Sequence, residues 1–226
     1  MRTWFGTSAF ALTVMAALAC TTVFSTPTSS AVFPDPALDV PAASVHAPQT
    51  AVLAGGCFWG VEAVFERLKG VTDVVSGFAG GQAATAHYTM VSEGTTGHAE
   101  SVKITYDPQT ISYGQILKIF FAVAHDPTEL NRQGPDEGTQ YRSAIFYGSA
   151  DEKRVAEAYI RQLDEAKVFR HPIVTAVSEL HGFYPAEEYH QNFIERNPNN
   201  PYVVFNDLPK LRQLKQLFPA LLRPGF

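Results

Sequence analysis

Apolar and polar residues change their spacing along this chain in a way that lays out most of its elements. From Thr50 to Ala54 the residues are short and mostly apolar, the pattern of a buried strand, and Gly55-Gly56 follow directly. Val61, Val64, Phe65 and Leu68 then recur at helical spacing, so the paired glycines mark a tight turn from strand into helix, which Gly70 closes. Val71 to Phe78 predicts a second strand ending in Gly80-Gly81, and the alternation of Val102, Ile104 and Tyr106 predicts a third, stopped by Asp107-Pro108. Ser112 stands where it can cap a helix whose apolar stripe is Ile116, Leu117, Ile119, Phe120 and Val123. His125 to Gln140 is a loop rich in turn residues, of a length uncommon unless functional. Arg142 to Tyr147 predicts a strand, Asp151 to Lys167 a surface helix, and Ile173 to Leu180 a weakly alternating strand. Strand, helix, strand, occurring twice, predicts an α+β fold: a two-layer α/β sandwich with a ferredoxin-like core, a mixed sheet and an extended C-terminal segment. In that segment Asp207 is expected to cap a short docked helix, with Pro209 in its first turn and Leu208, Leu211, Leu214 and Leu217 along one side. No chemistry is expected there.

The first 49 residues follow different rules. Ser8 to Ala19 is an apolar run of signal-peptide length behind a single early charge, Arg2, and Ala17-Leu18-Ala19 fits a cleavage site. Export to the periplasm or envelope is the expected fate. Cys20 follows directly and offers a second reading, a lipoprotein acylation site, which is the one case in which membrane attachment is expected. From Thr21 to Gln49, Ser, Thr, Ala and Pro dominate, with Pro27, Pro34, Pro36, Pro41 and Pro48 interrupting any period, so this is expected to be a linker. The expected organisation is a signal peptide over 1–19, a linker over 20–49 and a catalytic domain over 50–226. At 46% hydrophobic and 17% charged residues, the chain is globular in composition and long enough for one substantial core. A formal net charge of -5 gives no electrostatic case for nucleic acid.

Chemistry concentrates at Gly55-Gly56-Cys57-Phe58-Trp59-Gly60. The chain has two cysteines, Cys20 and Cys57, and Cys57 falls at or just before the first turn of the first helix. Unpaired N–H groups and the positive end of the helix dipole favour a thiolate there, so the thiol pKa is expected below its usual value of about 8.5. A small buried hydrophobe is the alternative for a lone cysteine. His98 with Glu100, and His190 with Glu187 and Glu188, lack the spacing of a zinc site, so no metal is expected, and exposed or hydrogen-bonding histidines account for them.

Four stretches, Gly55 to Gly60, Thr96-Gly97-His98-Ala99-Glu100, His125-Asp126-Pro127 and Gly138 to Ser143, stand in the order and spacing of a known family. Together they resemble peptide methionine sulfoxide reductase of the A type, from about Thr50 to about Tyr202. The resemblance implies reduction of the S epimer of methionine sulfoxide, free or within oxidised proteins, without a cofactor. It implies Cys57 as nucleophile, Glu100 as acid, Phe58 and Trp59 as the pocket for the terminal methyl group, and Tyr88, Asp136 and Tyr141 around the sulfoxide oxygen. Attack by a thiolate pushes charge onto that oxygen, so a proton donor is required beside it, and burial would keep Glu100 protonated for that task. Without the resemblance, Glu100 reads as a solvated edge residue, Tyr88 and Tyr141 as packed aromatics and Asp136 as a turn residue. Members often carry resolving cysteines in the tail, and this tail has none, which points to a single-cysteine form. Its sulfenic acid would be reduced by an external thiol, from a thioredoxin-like or glutaredoxin-like protein or a small molecule. Phe78 stands where a Tyr is usual, and Ala84-Thr85-Ala86-His87 replaces the usual Asn-Pro segment before Tyr88. The rival functions are another activated-thiol enzyme, a peroxidase or acyl transferase with His98 or His190 as base, and a non-enzymatic module binding methionine peptides.

Overall fold

The apolar run at the start of the domain forms a central strand, β1 (Gln49–Gly55), and the chain turns from it into α1 (Phe58–Glu66). There follow β2 (Val71–Ala79), α2 (Tyr88–Val91), β3 (Ala99–Tyr106) and α3 (Tyr113–Ile119), the last extended by a π-helical turn, Phe120–Ala124. A small hairpin, β4 (Arg132–Gln133) and β5 (Asp136–Glu137), lies inside the long loop ahead of β6 (Ser143–Tyr147). The rest comprises α4 (Ala150–Glu165), β7 (Ala176–Glu179), β8 (Phe183–Pro185), α5 (Phe193–Arg196) and α6 (Leu208–Leu217). The computed structural model describes Met1, residues 33–41 and residues 47–226. The expected signal peptide, Cys20 and most of the expected linker lie outside the described residues.

Six strands pair in the order β7-β6-β1-β3-β2-β8. β6 and β7 are parallel and every other pair is antiparallel, so the sheet is mixed. The inner four strands with α1 and α3 form two interleaved strand-helix-strand units, which is the expected ferredoxin-like core. Both faces of β1 are covered: Ala51 and Leu53 join the main core with Val64, Phe65, Ile104 and Leu117, while Val52 and Ala54 pack with Ala99, Ala144 and Phe146. That double burial is why β1 reads as a continuous apolar run instead of an alternating one.

Local chemistry fixes the element ends. Ser112 Oγ accepts from Gln115 N and the Gln115 side chain accepts from Ser112 N, a complete capping box at the start of α3. Residues 33–41 run along the domain: Tyr159 Oη donates to Pro34 O at 2.9 Å, Lys118 Nζ lies 2.7 Å from Asp35 Oδ1, and Asp39 accepts from Ser112 Oγ and from Gly114 N. These positions fall within the expected linker. Three expectations need correction. β8 is absent from the sequence reading, because three residues ending in Pro185 carry no usable period, yet it closes the sheet edge beside β2. α1 ends at Glu66, with Gly70 beyond it as a separate turn at φ +84°. Asp207 makes no cap hydrogen bond; a π-helical turn, Val203–Asp207, runs straight into α6, and the Asp207 carboxylate is fully buried.

The turn between β1 and α1 depends on Gly56. Its φ is +86°, and a Cβ there would sit 2.5 Å from Cβ and Cγ of Gln133 in β4. Gly56→Ala is therefore expected to cost about 1–3 kcal/mol in urea unfolding; an unchanged midpoint would contradict this account of the turn. Glu62, buried in α1 with its Oε2 accepting from Asn192 N at 3.1 Å, is pushed up to about 8, first by burial and then by the neighbouring Glu66 charge. A carboxyl held higher in the folded than in the unfolded chain loses stabilisation as pH rises from 4.5 to about 8. Glu62→Gln should therefore gain stability relative to the native chain across that window, by at most about 1.4 kcal/mol per pH unit, and parallel profiles would contradict the assignment.

Candidate active site

Two residues that are 43 positions apart meet at the first turn of α1. Cys57 occupies the N-cap position, and Phe58 and Trp59 are the first helical residues, so their N–H groups have no partner within the helix. Phe58 N donates to Glu100 Oε2 at 3.1 Å, and Trp59 N donates to the Cys57 sulfur. Glu100 arrives there because it is the second residue of β3, in register with Phe78 of β2. Its side chain is 2% exposed, and burial pushes its carboxyl up to about 8, against the opposing effect of the Phe58 N–H. Glu100 is thus a protonated acid at neutral pH.

The expected low thiol pKa is overturned. Cys57 is 8% exposed, and its thiol is raised well above its ordinary value by burial first, then by Glu100 and Asp207. The Trp59 N–H and Lys210 act in the opposite direction and do not prevail. The magnitudes explain the outcome: a helix N-terminus is worth about 0.3–2 kcal/mol, whereas full burial shifts a titration by up to about 3–5 units. A protonated Glu100 removes one of the opposing charges, so the empty pocket holds a neutral thiol beside a neutral acid.

Aromatic residues wall the site. Phe58 is fully buried against Phe78 at 5.9 Å between ring centroids, in the position where the related pattern has Tyr. Trp59 is half-buried, stacks on Phe193 at 3.7 Å and meets the edge of Tyr202 at 5.9 Å. Tyr88 begins α2; its backbone N donates to Glu187 Oε1 at 3.1 Å and its ring lies 4.3 Å from that of His190. Tyr88 and Tyr141 both lie within electrostatic reach of Glu100, Cys57 and Asp136, and burial leads in raising both phenols, Tyr88 to about 12. Both hydroxyls therefore keep their protons and are available as donors.

The recognised stretches build this arrangement mostly through backbone contacts. Arg142 donates to the carbonyls of Gly97, His98 and Thr139, and Gln140 Nε2 to Ser92 O, which hold the turn carrying Tyr141 against the start of β3. His125 is buried between Phe120 O at 3.1 Å and Ser143 Oγ at 2.7 Å, and burial drops it to about 3, so it is a neutral structural residue. Next to it, Asp126 exchanges hydrogen bonds with the Gln133 side chain and so sets the hairpin that carries Asp136. Asp136 is half-buried, its carboxyl raised by burial, and accepts from Tyr202 Oη.

All seven expected site residues belong to this neighbourhood, and the tail adds members that the sequence reading set aside. A cavity of about 140 Å³ is lined by Cys57, Gln133, Asp136, Tyr202, Asn206 and Lys210, among others. Asp207 and Lys210 form an ion pair at 3.6 Å against the first turn of α1, at Gly60: a Cβ on that residue would overlap Asp207 Oδ1 and lie 2.9 Å from Lys210 Nζ. Only the opposite charges at i and i+3 in an otherwise plain helix hinted at this pair. Of the two expectations for His98 and His190, exposed or hydrogen-bonding, the second holds, and both are buried. Both ring nitrogens of His98 are engaged, with Gly81 N and Gln82 O, and His190 Nδ1 accepts from the Trp59 indole, so neither nitrogen set presents a base prepared for Cys57 as acyl transfer would need.

Comparison with known proteins agrees with this geometry. The family model described as peptide methionine sulfoxide reductase matches residues 49–221. Peptide methionine sulfoxide reductase MsrA 2 of Synechocystis sp. is 55% identical over 196 residues, covering 86% of this chain and 92% of the relative. The protein of the same name from Mesorhizobium japonicum is 58% identical over 173 residues, covering 76% and 89%. Among solved structures, methionine sulfoxide reductase A of Corynebacterium diphtheriae has a TM-score of 0.60 at 32% identity, covering 70% of this chain and 78% of that one. Reduced Mxr1 of Saccharomyces cerevisiae has a TM-score of 0.60 at 34% identity, covering 68% and 87%. With its folded region matched almost from end to end, the chain belongs to the peptide methionine sulfoxide reductase A family and is an enzyme that reduces methionine sulfoxide.

Proposed function

We propose that this enzyme reduces the S epimer of methionine sulfoxide by direct attack of Cys57, with Glu100 as the proton donor. The observation that carries the proposal is the shared helix start: Phe58 N binds the Glu100 carboxyl at 3.1 Å while the neighbouring N–H binds the Cys57 sulfur. Sulfoxide sulfur carries partial positive charge, so its arrival supplies the electrostatic partner that the buried thiol lacks and shifts Cys57 towards thiolate, the thiol proton passing to solvent. The thiolate forms a bond to that sulfur, and Glu100 gives its proton to the oxygen, where negative charge accumulates. Oxygen then passes to the Cys57 sulfur as the new sulfur–sulfur bond breaks. The products are methionine, a sulfenic acid on Cys57 and the Glu100 carboxylate. Cys57 loses two electrons and the sulfoxide gains two. Phe58 and Trp59 receive the methyl group, and the protonated hydroxyls of Tyr88 and Tyr141, with Asp136, orient the oxygen.

Regeneration requires outside help, because among the described residues Cys57 is the only cysteine. An external thiol attacks the sulfenic sulfur and releases water; a second thiol then frees Cys57 and leaves a disulfide between the two reductants. A thioredoxin-like or glutaredoxin-like dithiol and a small thiol both satisfy this balance. The apolar run of residues 8–19 supports an exported enzyme, whose reductant would act outside the cytoplasm, and oxidised proteins as well as free methionine sulfoxide as substrates.

With dithiothreitol and each epimer in turn, the native chain is expected to reduce the S form alone and Cys57→Ser to reduce neither; turnover by Cys57→Ser would overturn the mechanism. Glu100→Gln should retain folding and lose about 10²–10⁴-fold in kcat/KM. In the native enzyme kcat/KM should fall as pH rises through about 8, where Glu100 gives up its proton. That limb should vanish in Glu100→Gln, and its persistence would assign the acid elsewhere.

A further inference from the structure

α6 takes no part in the chemistry just described, yet it supplies the only cation among the described residues that line the cavity at Cys57, Lys210. The helix docks through its apolar side: Leu208 and Leu211 pack with Ala63, Ile194 and Val203, Leu214 joins the main core, and Gln213 Nε2 donates to Ala122 O at 2.9 Å. This seating turns Asp207 and Lys210, one helical turn apart, onto the first turn of α1. Gly60 gives them room, because any side chain there would fill the space that Asp207 Oδ1 and the Lys210 ammonium occupy. Asp207 is fully buried and neither of its carboxylate oxygens has a hydrogen-bond partner among the described residues, so the Lys210 ammonium at 3.6 Å is what balances its charge. Burial raises Asp207 to about 6, with Lys210 opposing, so the pair is ionised at neutral pH.

We propose that Lys210 is a positioning residue, the counter-ion held for the Cys57 sulfur while that sulfur is anionic, and that Asp207 anchors its ammonium at the first turn of α1. The other titratable groups around the sulfur cannot fill this role. Glu100 on β3 is a protonated acid, the phenols of Tyr88, Tyr141 and Tyr202 keep their protons, Asp136 on β5 and Asp207 are carboxyls, and His125 is neutral. The Lys210 side chain is 18% exposed, so water screens its field less than it would at the surface. In the resting site the burial of the thiol prevails over Lys210 and the sulfur stays neutral. Once the sulfoxide is in place and the thiol proton has left, the ammonium stabilises the negative sulfur from a fixed position, with no group required to reorient. It acts through the field at the sulfur and not by contact with the reacting atoms.

The inference rests on Cys57 as the nucleophile, and its test reads the thiol without methionine sulfoxide. The rate at which iodoacetamide alkylates Cys57 near neutral pH follows the thiolate fraction. Asp207→Asn removes the opposing charge and leaves Lys210 unbalanced, so alkylation should be about tenfold faster than in the native chain. Adding Lys210→Met to Asp207→Asn should abolish that gain, whereas adding Lys210→Arg should keep most of it. A gain that came from a loosened site would survive Lys210→Met, and that result would overturn the proposal, as would a native or slower rate in Asp207→Asn. Should Asp207→Asn fail to fold, the contrast is read in the native background, where Lys210→Met should slow alkylation and Lys210→Arg should not; equal rates in the two would overturn it. Turnover by Cys57→Ser would defeat the mechanism instead, and would leave these alkylation rates as they stand.

Discussion

The start of α1 is a scarce resource that two side chains divide. Its first free N–H binds the Glu100 carboxyl and its second binds the Cys57 sulfur, so nucleophile and acid are set by adjacent atoms of one rigid backbone. Most of the remaining structure can be understood as what this division demands. β1 must end at Gly55 and the chain must turn through φ +86° at Gly56, so that Cys57 falls at the N-cap position and not within the strand. β3 must pair with β2 in the register that sets Glu100 opposite Phe78, since a slip of one residue would turn the carboxyl to the other face of the sheet. Burial then does the electrostatic work, keeping both groups neutral until a polar substrate enters.

This arrangement explains how a buried thiol can be both quiet and competent. A thiolate exposed at a helix end would be available to any oxidant; a neutral thiol behind Phe58 and Trp59 is not. The free energy needed to ionise Cys57 is supplied by the substrate's own dipole and by loss of the Glu100 proton to the oxygen, so charge appears only when the sulfoxide is in place. The tail joins the same electrostatic neighbourhood. Asp207 raises the thiol and Lys210 lowers it, and Tyr202 holds Asp136, so residues that carry no cysteine still shape the surroundings of one.

Much of this was legible in the sequence where one residue type answers one physical need. The glycines before Cys57, the serine cap at Ser112, the apolar run of β1, the helical period of α1 and the alternation of β3 are such cases. Cys57, Phe58, Trp59 and Glu100 were legible as chemistry chiefly through the four stretches taken together, because a lone acidic residue on a strand has no signature of its own. What was illegible depends on long-range contact. The depth of burial that lifts Cys57 is set by β3, α6 and the hairpin, all distant in sequence, and a local rule about helix ends pointed in the wrong direction. Asp207 looked like a cap because it precedes Pro209, whereas the chain was already helical there and the carboxylate turned inward to Lys210. β8 was too short to show alternation, and His98 and His190, polar by type, were drawn inside by hydrogen bonds that no spacing encodes.

The central claim is that Glu100 stands protonated beside Cys57 at neutral pH, and a carboxyl ¹³C titration reports it directly. Glutamate labelled at its carboxyl carbon, with the Glu100 signal identified by its disappearance in Glu100→Gln, should show that resonance moving with a midpoint near 8 in the substrate-free enzyme. A midpoint at 4.5, the ordinary value for a glutamate, would mean that the carboxyl is ionised throughout the working range and that another group donates the proton.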